Sequence, residues 1–284
     1  MEIFKEIKPL RAYLKRQRVA GKSVGLVPTM GALHDGHLSL LRASQAENNV
    51  TVCSIFVNPT QFNNPSDLVN YPRTPDKDAG ILEGHHCDVL FCPSESEMYG
   101  GGSIVRFDFG DLDKVLEGQF RPGHFSGVAL AVSKLFNIVT PDSAYFGQKD
   151  YQQFLIVERL QQDLKFDVQL RCLPIHREKD GLAMSSRNLR LTAQQRKGAN
   201  VFYQALQLAK KQILAGIDIN AVRDQLRVKF KALEDVKLEY FELADRSNLK
   251  PLNDVTNASQ SILLIAGYVG EIRLIDNLML SDED

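Results

Sequence analysis

Strand-like and helix-like patterns alternate through the first 175 residues, and this alternation constrains the fold more than any other feature. It predicts a parallel sheet with helices on both faces. The predicted strands are Ser23–Val27, Val50–Val57, Asp88–Phe91, Ser143–Phe146 and Phe166–Leu173. The predicted helices are His37–Glu47, Asp76–Glu83, Ser126–Val139 and Tyr151–Leu164. Because ligands of such sheets bind at the carboxyl ends of the strands, we expect the polar motifs that follow the strands to form the site.

The pattern changes after Leu191. A long helix capped by Thr192 is predicted first, and a second helix and three β-rich runs follow it: Thr192–Ala215, Ile219–Leu233, Lys237–Leu243, Ser261–Tyr268 and Ile272–Leu278. We therefore predict an α/β chain, with a parallel-sheet domain over residues 1–175 and a smaller α+β domain over residues 176–284.

Charge and hydropathy exclude some functional classes. The net charge of −1 argues against non-specific nucleic-acid binding, which requires a strong positive field. The sequence has no apolar run long enough to span a bilayer, so we expect no membrane association. The N-terminal stretch MEIFKEIKPLRAYLKRQRVAGKS is typical of an amphipathic helix and not of a signal peptide. With reduced thiols and no export signal, we expect a cytoplasmic protein.

The cysteines leave one metal hypothesis to weigh. None of the four forms a C-x-x-C motif. Cys87 and Cys92 lie near two histidines, so zinc is conceivable, but they bracket an apolar core strand. We favour buried free thiols and expect no structural zinc.

The stretch Pro28–His37, PTMGALHDGH, connects a predicted strand to a predicted helix. His34 and His37 therefore lie at a helix N-terminus, where free N–H groups and imidazole N–H groups can bind a phosphate. The alternatives are a metal-binding pair and two ordinary surface histidines. No third ligand lies nearby in the sequence, and the whole motif favours phosphate over either alternative.

Neutral amides follow the second strand, in the segment Asn58–Phe62. They can bind hydroxyls and carboxylates without adding charge. For Asn58, an Asx-type turn is about as plausible. For Gln61, which has no turn preference, we favour a ligand contact.

A helix start is predicted at Tyr71–Asp78, with Thr74 as the cap and Pro75 at the first helical position. The less favoured alternative is that Asp76 or Asp78 contacts Mg²⁺.

A loop rich in glycine and proline, Gly118–Phe125, carries Arg121 and His124 ahead of an apolar helix. It is either an anion clamp or lid over a site, or a surface loop with two cations.

A lysine lies at the start of another helix, in the segment Phe146–Gln153. A cation is disfavoured at a helix N-terminus unless an anion joins it, which suggests that Lys149 is functional. Asp150 could cap the helix, and Gln153 could face the cleft.

The segment Arg177–Asn188 is dense in charge and carries two serines and Arg187. It could close on a triphosphate. Composition alone favours a solvated interdomain linker.

These motifs together resemble the pantothenate synthetase (pantoate–β-alanine ligase) family. The stretches that carry the resemblance are PTMGALHDGH, FVNPTQF, YPRT, GQFRPGHFSGV, FGQKDYQQ and KDGLAMSSRN, in the family's order and spacing. The resemblance implies the HIGH-type nucleotidyl-transfer superfamily, with a Rossmann-like domain, a C-terminal lid domain, a homodimer and a cytoplasmic location. It also implies the substrates ATP, pantoate and β-alanine, with Mg²⁺ whose ligands stay unassigned.

Site residues transfer by motif. The family's catalytic positions correspond to His37, His34 and Lys149. Its pantoate ligands correspond to Gln61 and Gln153, and the resemblance also places Gln61 near β-alanine. The residues matching ATP contacts are Met30, Gly31, Ala32, Leu33, His34, Asp35, Gly36, His37, Gly147, Gln148, Lys149, Asp150, His176, Met184, Ser185, Ser186 and Arg187. Gln148 and His176 depart from the residues usual at their positions.

The resemblance implies formation of a pantoyl-adenylate, followed by attack of β-alanine to give pantothenate, AMP and pyrophosphate. Two rival functions remain: a nucleotidylyltransferase that releases an adenylylated product, and a binding module without turnover. Gln61 and Gln153 argue against the first rival. The His, Lys, Ser and Arg set argues against the second.

Overall fold

A computed structural model describes residues 1–281. The chain groups into two compact units, Met1–Gln148 with Gln152–Pro174, and Lys149–Tyr151 with the chain from Ile175 onward. The division of the chain into domains at residue 175 stays a prediction.

The first unit is built on a six-stranded parallel sheet in the order β1-β4-β3-β2-β5-β6. Its strands are β1 (Glu2–Phe4), β2 (Val24–Thr29), β3 (Val50–Ile55), β4 (Val89–Phe91), β5 (Ser143–Gly147) and β6 (Gln169–Leu173). Its helices are α1 (Ile7–Val19), α2 (Asp35–Glu47), α3 (Pro65–Val69), α4 (Pro75–Gly84), α5 (Glu95–Tyr99), α6 (Glu117–Phe120), α7 (His124–Val139) and α8 (Tyr151–Leu164). The predicted α/β class is confirmed.

Both faces of this sheet are buried, because alternate residues of a strand point to opposite sides. Leu26 and Val52 join a core with residues of α1, α7 and α8. Cys53 joins a second cluster with residues of α2 and α4, and Val27 a third with Leu40 of α2. The continuous apolar runs of the sequence therefore correspond to strands covered on both sides.

The second unit combines a three-stranded antiparallel sheet with helices. The strands are β7 (Val236–Asp245), β8 (Ser261–Val269) and β9 (Ile272–Met279). The helices are α9 (Ala193–Gly198), α10 (Val201–Leu214) and α11 (Ile219–Lys231). Leu206, Leu226 and Leu263 belong to its core. Within residues 1–281, no helix has both the length and the apolar character that a membrane span requires.

The predicted helix Thr192–Ala215 is wrong in one respect, since it consists of two helices that break at Ala199 and Asn200. Gly198 and Asn200 have poor helix propensity, which accounts for the break. The predicted cap is confirmed, because the Thr192 side chain accepts a hydrogen bond from the Gln195 N–H at 3.2 Å.

Two other boundaries and one helix cap differ from the sequence patterns. The N-terminal stretch is not one helix, because Glu2–Phe4 pairs with β4 as a short edge strand and α1 begins only at Ile7. The strand predicted from Phe166 begins at Gln169, after a turn at Lys165, whose φ is +56°. Thr74 precedes α4 without a side-chain capping bond, although Pro75 occupies the first turn as predicted.

The free cysteines are only partly buried. Cys53 and Cys87 are buried, Cys92 is half-buried and Cys172 is exposed. Burial raises the pKa of Cys87 to about 11, so this thiol stays protonated at neutral pH.

Candidate active site

The polar motifs of the first unit meet at the carboxyl edge of the sheet. Strands β2 and β3 run in register from Val24↔Val50 to Thr29↔Ile55, so they end side by side. Strand β5 lies on the other side of β2 and ends at Gly147. The segments that follow these three strands therefore begin side by side at the carboxyl edge of the sheet, as predicted.

A buried carboxylate shapes the loop that follows β2. The two oxygens of Asp78 accept hydrogen bonds from the N–H groups of Ala32 at 2.9 Å and Leu33 at 2.8 Å. Gly31 and Ala32 have φ values of +83° and +49°, and a Cβ on Gly31 would lie 3.1 Å from Asp78 Oδ2. Asp78 is 1% exposed. It therefore orders the loop, a role that sequence reasoning missed when it considered this residue as a first-turn acid of a helix or, less favoured, as a Mg²⁺ contact.

The two histidines lie where the sequence placed them. Helix α2 begins at Asp35 with His34 as its N-cap residue, and the rings of His34 and His37 are 4.0 Å apart between centroids. The His34 N–H donates to His37 Nδ1 over a long 3.4 Å. In the neutral imidazole, His37 then carries its proton on Nε2, which becomes a donor at a helix N-terminus.

The turn after β3 is built around Asn58, which is 2% exposed. Asn58 Oδ1 accepts from the Thr60 N–H at 3.2 Å, and Nδ2 donates to Gln61 Oε1 at 3.0 Å. The Asx-type turn considered for Asn58 is therefore present. Gln61 ends this 3-10 turn, is buried, and has Nε2 3.0 Å from Met30 Sδ.

The loop that carries Arg121 and His124 is not a simple surface loop. His124 is 4% exposed, and its Nδ1 lies 2.7 Å from the Gln61 carbonyl oxygen, to which it donates. Arg121 lies 3.9 Å from the Glu117 carboxylate. The surface-loop alternative is therefore wrong for His124, and the lid or clamp role is a hypothesis.

Two adjacent glutamines of α8 have different environments. Gln152 is 2% exposed, and its side chain bonds the backbone of Leu112, Val115 and Glu117. Gln153 is half-buried. The structure therefore gives Gln152 a packing role, and the assignment of Gln153 to a ligand stays a prediction.

Lys149 and Asp150 form a 3-10 turn with Gln148 just ahead of α8, as the helix-start interpretation requires. Lys149 Nζ lies 3.7 Å from the half-exposed carboxylate of Asp150. Asn277 Nδ2 donates to the Lys149 carbonyl oxygen at 3.0 Å, which ties the lysine backbone to β9. The turn thus presents a cation on an ordered backbone.

The segment that begins at His176 is folded and is not a solvated linker. Arg177 makes two hydrogen bonds to the buried carboxylate of Asp276, at 2.7 and 3.0 Å, and its guanidinium lies 3.9 Å from the Tyr203 ring centroid. His176 itself is exposed, and its carbonyl oxygen accepts from the Met184 N–H at 3.0 Å. The linker interpretation is therefore wrong.

The serines and arginine of this segment lie on a further 3-10 turn, Ser186–Arg190. Ser185 Oγ accepts from the Arg187 N–H at 3.2 Å, and Ser186 is buried. Next to this turn, a hydrogen bond from Arg196 lowers the pKa of Asp180. The two serines and Arg187 thus lie on an ordered turn, and their binding of an anion stays a prediction.

No three His, Cys, Asp or Glu side chains within residues 1–281 group as metal ligands. Both oxygens of Asp78 already bond backbone N–H groups, so a dedicated protein cage for Mg²⁺ does not fit these residues. The assignments to ATP, pantoate and β-alanine stay predictions.

Comparison with known proteins gives a consistent picture. A sequence model of the family described as pantoate-beta-alanine ligase matches residues 2–279. Pantothenate synthetase of Moorella thermoacetica is 45% identical over 285 residues, covering 100% of both chains. That of Aquifex aeolicus is 46% identical over 277 residues, covering 97% of each.

Solved structures of the same family have the same fold as this chain. The crystal structure of pantothenate synthetase from Thermus thermophilus has a TM-score of 0.92 at 40% identity, covering 99% of this chain and 100% of that one. Pantoate-beta-alanine ligase from Francisella tularensis, complexed with beta-gamma ATP and beta-alanine, has a TM-score of 0.82 at 35% identity, covering 100% of this chain and 99% of that one.

Proposed function

This chain belongs to the pantoate-beta-alanine ligase family, and from that premise we propose that it ligates pantoate and β-alanine to pantothenate through a pantoyl-adenylate. ATP supplies the AMP group, and AMP and pyrophosphate are released. The family places the chain among ligases of pantothenate biosynthesis. We further propose a homodimeric, cytoplasmic enzyme, because the family resemblance implies both.

One observation carries this proposal. The N-terminus of α2, with His34 and His37, lies at the sheet edge where the neutral amide Gln61 is held in the adjacent segment. A helix end that can bind phosphate, next to an uncharged amide that can bind a carboxylate, suits adenylation of a carboxylate. The related ligase solved with beta-gamma ATP and beta-alanine supports the same substrates.

In the first step, a pantoate carboxylate oxygen attacks the α-phosphorus of ATP, and the bond to pyrophosphate breaks. Negative charge develops on the phosphoryl oxygens, so catalysis depends on positioning and on electrostatic stabilisation. His37 Nε2–H, His34 and the free N–H groups of α2 supply donors for that charge.

Two groups of residues share the remaining work of the first step. Lys149 adds positive charge at the phosphoryl oxygens, and the departing phosphates are bound by Ser185, Ser186 and Arg187. Gln61 and Gln153 bind pantoate without a formal charge, so its carboxylate stays nucleophilic. Mg²⁺ bound with ATP would neutralise part of the charge on the phosphates, and no residue of this chain is assigned to hold it.

In the second step, the neutral amine of β-alanine attacks the acyl carbon of the adenylate. The carbon–oxygen bond to AMP breaks, AMP leaves, and the amine loses a proton. Exclusion of water protects the adenylate from hydrolysis during this step. Gln61, beside both substrates, is the residue that we assign to holding β-alanine in place.

Pyrophosphate exchange tests this two-step reaction. Labelled pyrophosphate is expected to enter ATP when pantoate is present and β-alanine is absent, because the first step is reversible and complete without the amine. The control omits pantoate. Exchange that needs β-alanine would contradict a separate adenylation step, release of an adenylylated product would indicate a nucleotidylyltransferase, and ATP binding without exchange would indicate a binding module.

A further inference from the structure

We propose that Tyr99 and Asn58 orient the carboxamide of Gln61, so that Gln61 offers pantoate a hydrogen-bond donor and not an acceptor. Tyr99, Asn58 and Gln61 form what we call the amide clamp. In this arrangement Tyr99 is a positioning residue that acts on the substrate only through the two amides. The inference rests on the proposed function, because it specifies how this site recognises pantoate.

The orientation of the Asn58 amide follows from two backbone groups of known polarity. The Thr60 N–H, which can only donate, lies 3.2 Å from Oδ1. The Gly127 carbonyl oxygen, which can only accept, lies 3.0 Å from Nδ2. Exchanging the oxygen and nitrogen of Asn58 would therefore break both contacts at once.

Tyr99 reinforces this orientation from α5. Its hydroxyl donates to Asn58 Oδ1 at 2.6 Å. The Thr60 hydroxyl donates to the same oxygen at 2.8 Å, so Oδ1 accepts three hydrogen bonds in all with the Thr60 N–H. Burial raises the pKa of the Tyr99 phenol, which keeps it a donor at neutral pH.

The orientation passes from Asn58 to Gln61. Asn58 Nδ2 lies 3.0 Å from the Gln61 carboxamide and has only hydrogens to offer, so the Gln61 atom that faces it is Oε1. Gln61 Nε2 is then directed away from Asn58, towards the loop after β2, where Met30 Sδ lies 3.0 Å away. A thioether is a weak acceptor, which leaves this NH₂ group available to a stronger one.

The backbone beneath Gln61 is held as well. His124 donates to the Gln61 carbonyl oxygen at 2.7 Å. A Cβ on Gly127 would lie 2.1 Å from the Thr60 carbonyl oxygen, so only glycine permits the approach of α7 to this turn. Because the backbone and the amide are both held, Gln61 has little freedom to reorient for a ligand.

The consequence is chemical selectivity. Pantoate presents a carboxylate and hydroxyl oxygens, all of which accept hydrogen bonds. A Gln61 that presented Oε1 would repel the carboxylate, whereas the clamped Nε2 attracts it. The clamp therefore favours a ligand with acceptors at this point.

The test compares Tyr99→Phe with Tyr145→Phe in two measurements. Tyr145 is a matched control, because it is also a buried tyrosine, and its hydroxyl makes hydrogen bonds with Glu47 at 2.9 Å and Asn48 at 2.7 Å but none with the clamp. The first measurement is an amide proton–nitrogen correlation spectrum without substrate. The side-chain signals of Asn58 and Gln61 are assigned from their absence in Asn58→Asp and Gln61→Glu.

Tyr99→Phe is expected to shift the side-chain signals of both Asn58 and Gln61, and Tyr145→Phe is expected to shift neither.

The second measurement is pantoate-dependent pyrophosphate exchange. For Tyr99→Phe, the KM for pantoate is expected to rise about three- to tenfold, the scale of one lost hydrogen bond, while the KM for ATP stays unchanged. Asn58→Asp is expected to raise the KM for pantoate further, since the new carboxylate faces two acceptors, Gln61 Oε1 and the Gly127 carbonyl oxygen.

Three results would overturn the inference. They are a Gln61 signal that does not move in Tyr99→Phe, an equal rise of both KM values, and an unchanged KM for pantoate despite moved signals. If wild-type protein shows no exchange with pantoate, the proposed function fails, and with it the role of the clamp in recognising pantoate. The spectra then still decide whether Tyr99 orients Gln61.

Discussion

His37→Ala is expected to fold and to lose adenylation. The change removes the Nε2–H donor at the N-terminus of α2, where charge develops on the phosphate, and loss of such a donor costs roughly 10²–10³ in rate. It also removes the contact between the His34 N–H and His37 Nδ1, worth about 1 kcal/mol by comparison with other N-terminal caps. Thermal unfolding should remain cooperative, with a Tm lower by about 2–4 °C.

The measurements are a thermal melt and pantoate-dependent pyrophosphate exchange on one preparation. His34→Ala is expected to behave similarly. His85→Ala is the control, because this exposed histidine follows α4 and belongs to no predicted site. Near-normal exchange in both His34→Ala and His37→Ala would overturn the phosphate site.

Gln153→Glu is expected to abolish pantoate-dependent exchange and to leave ATP binding nearly normal. A glutamate has almost the same size, but when ionised it only accepts hydrogen bonds and it repels the pantoate carboxylate. The lost pairing and the repulsion together should cost several kcal/mol, on the order of an unpaired buried polar group plus a close like-charge pair. Calorimetric ATP binding and exchange are measured on the same variant.

Gln162→Glu provides the matched control, since Gln162 is an exposed glutamine of the same helix. It is expected to bind ATP and to support exchange like the wild type. If Gln153→Glu loses both activities equally, or neither, then Gln153 does not recognise pantoate.

The fold could be predicted largely because its signals are local. Runs such as Val50–Ile55 carry apolar residues on both faces, and the strands and helices alternate in the order that a parallel sheet demands. One failure arose where the deciding contact is not local. Glu2–Phe4 is too short to show a strand pattern, and its state is decided by pairing with Val89–Phe91, which is distant in the sequence.

The positions of the candidate site residues could be predicted from the sequence. The hydrogen bonds that hold those residues in place could not. The rule that ligands bind at the carboxyl ends of parallel strands located three residues that follow strands, His34, His37 and Gln61. Asp78 and Tyr99 act through hydrogen bonds to residues 41 to 46 positions away, and no spacing rule reveals such contacts. The only sequence signal for Asp78 was an acid in the first turn of a helix, which the helix dipole explains equally well.

The segment from Arg177 shows the same limit for charged residues. By composition it is typical of a solvated linker. In the structure, Arg177 is paired with Asp276, a buried carboxylate 99 positions away, and stacks on Tyr203. A charge pattern alone does not reveal whether each charged side chain forms an ion pair in the folded protein.

The most direct test of the central claim follows one oxygen atom. The enzyme is incubated with ATP, β-alanine and pantoate whose carboxylate carries a heavy oxygen isotope, and the phosphorus-containing products are analysed by mass. If pantoate attacks the α-phosphorus, one of its carboxylate oxygens leaves with the nucleotide, so AMP is expected to carry a single heavy oxygen and pyrophosphate none. Heavy oxygen in inorganic phosphate beside ADP, or AMP without label, would contradict a pantoyl-adenylate.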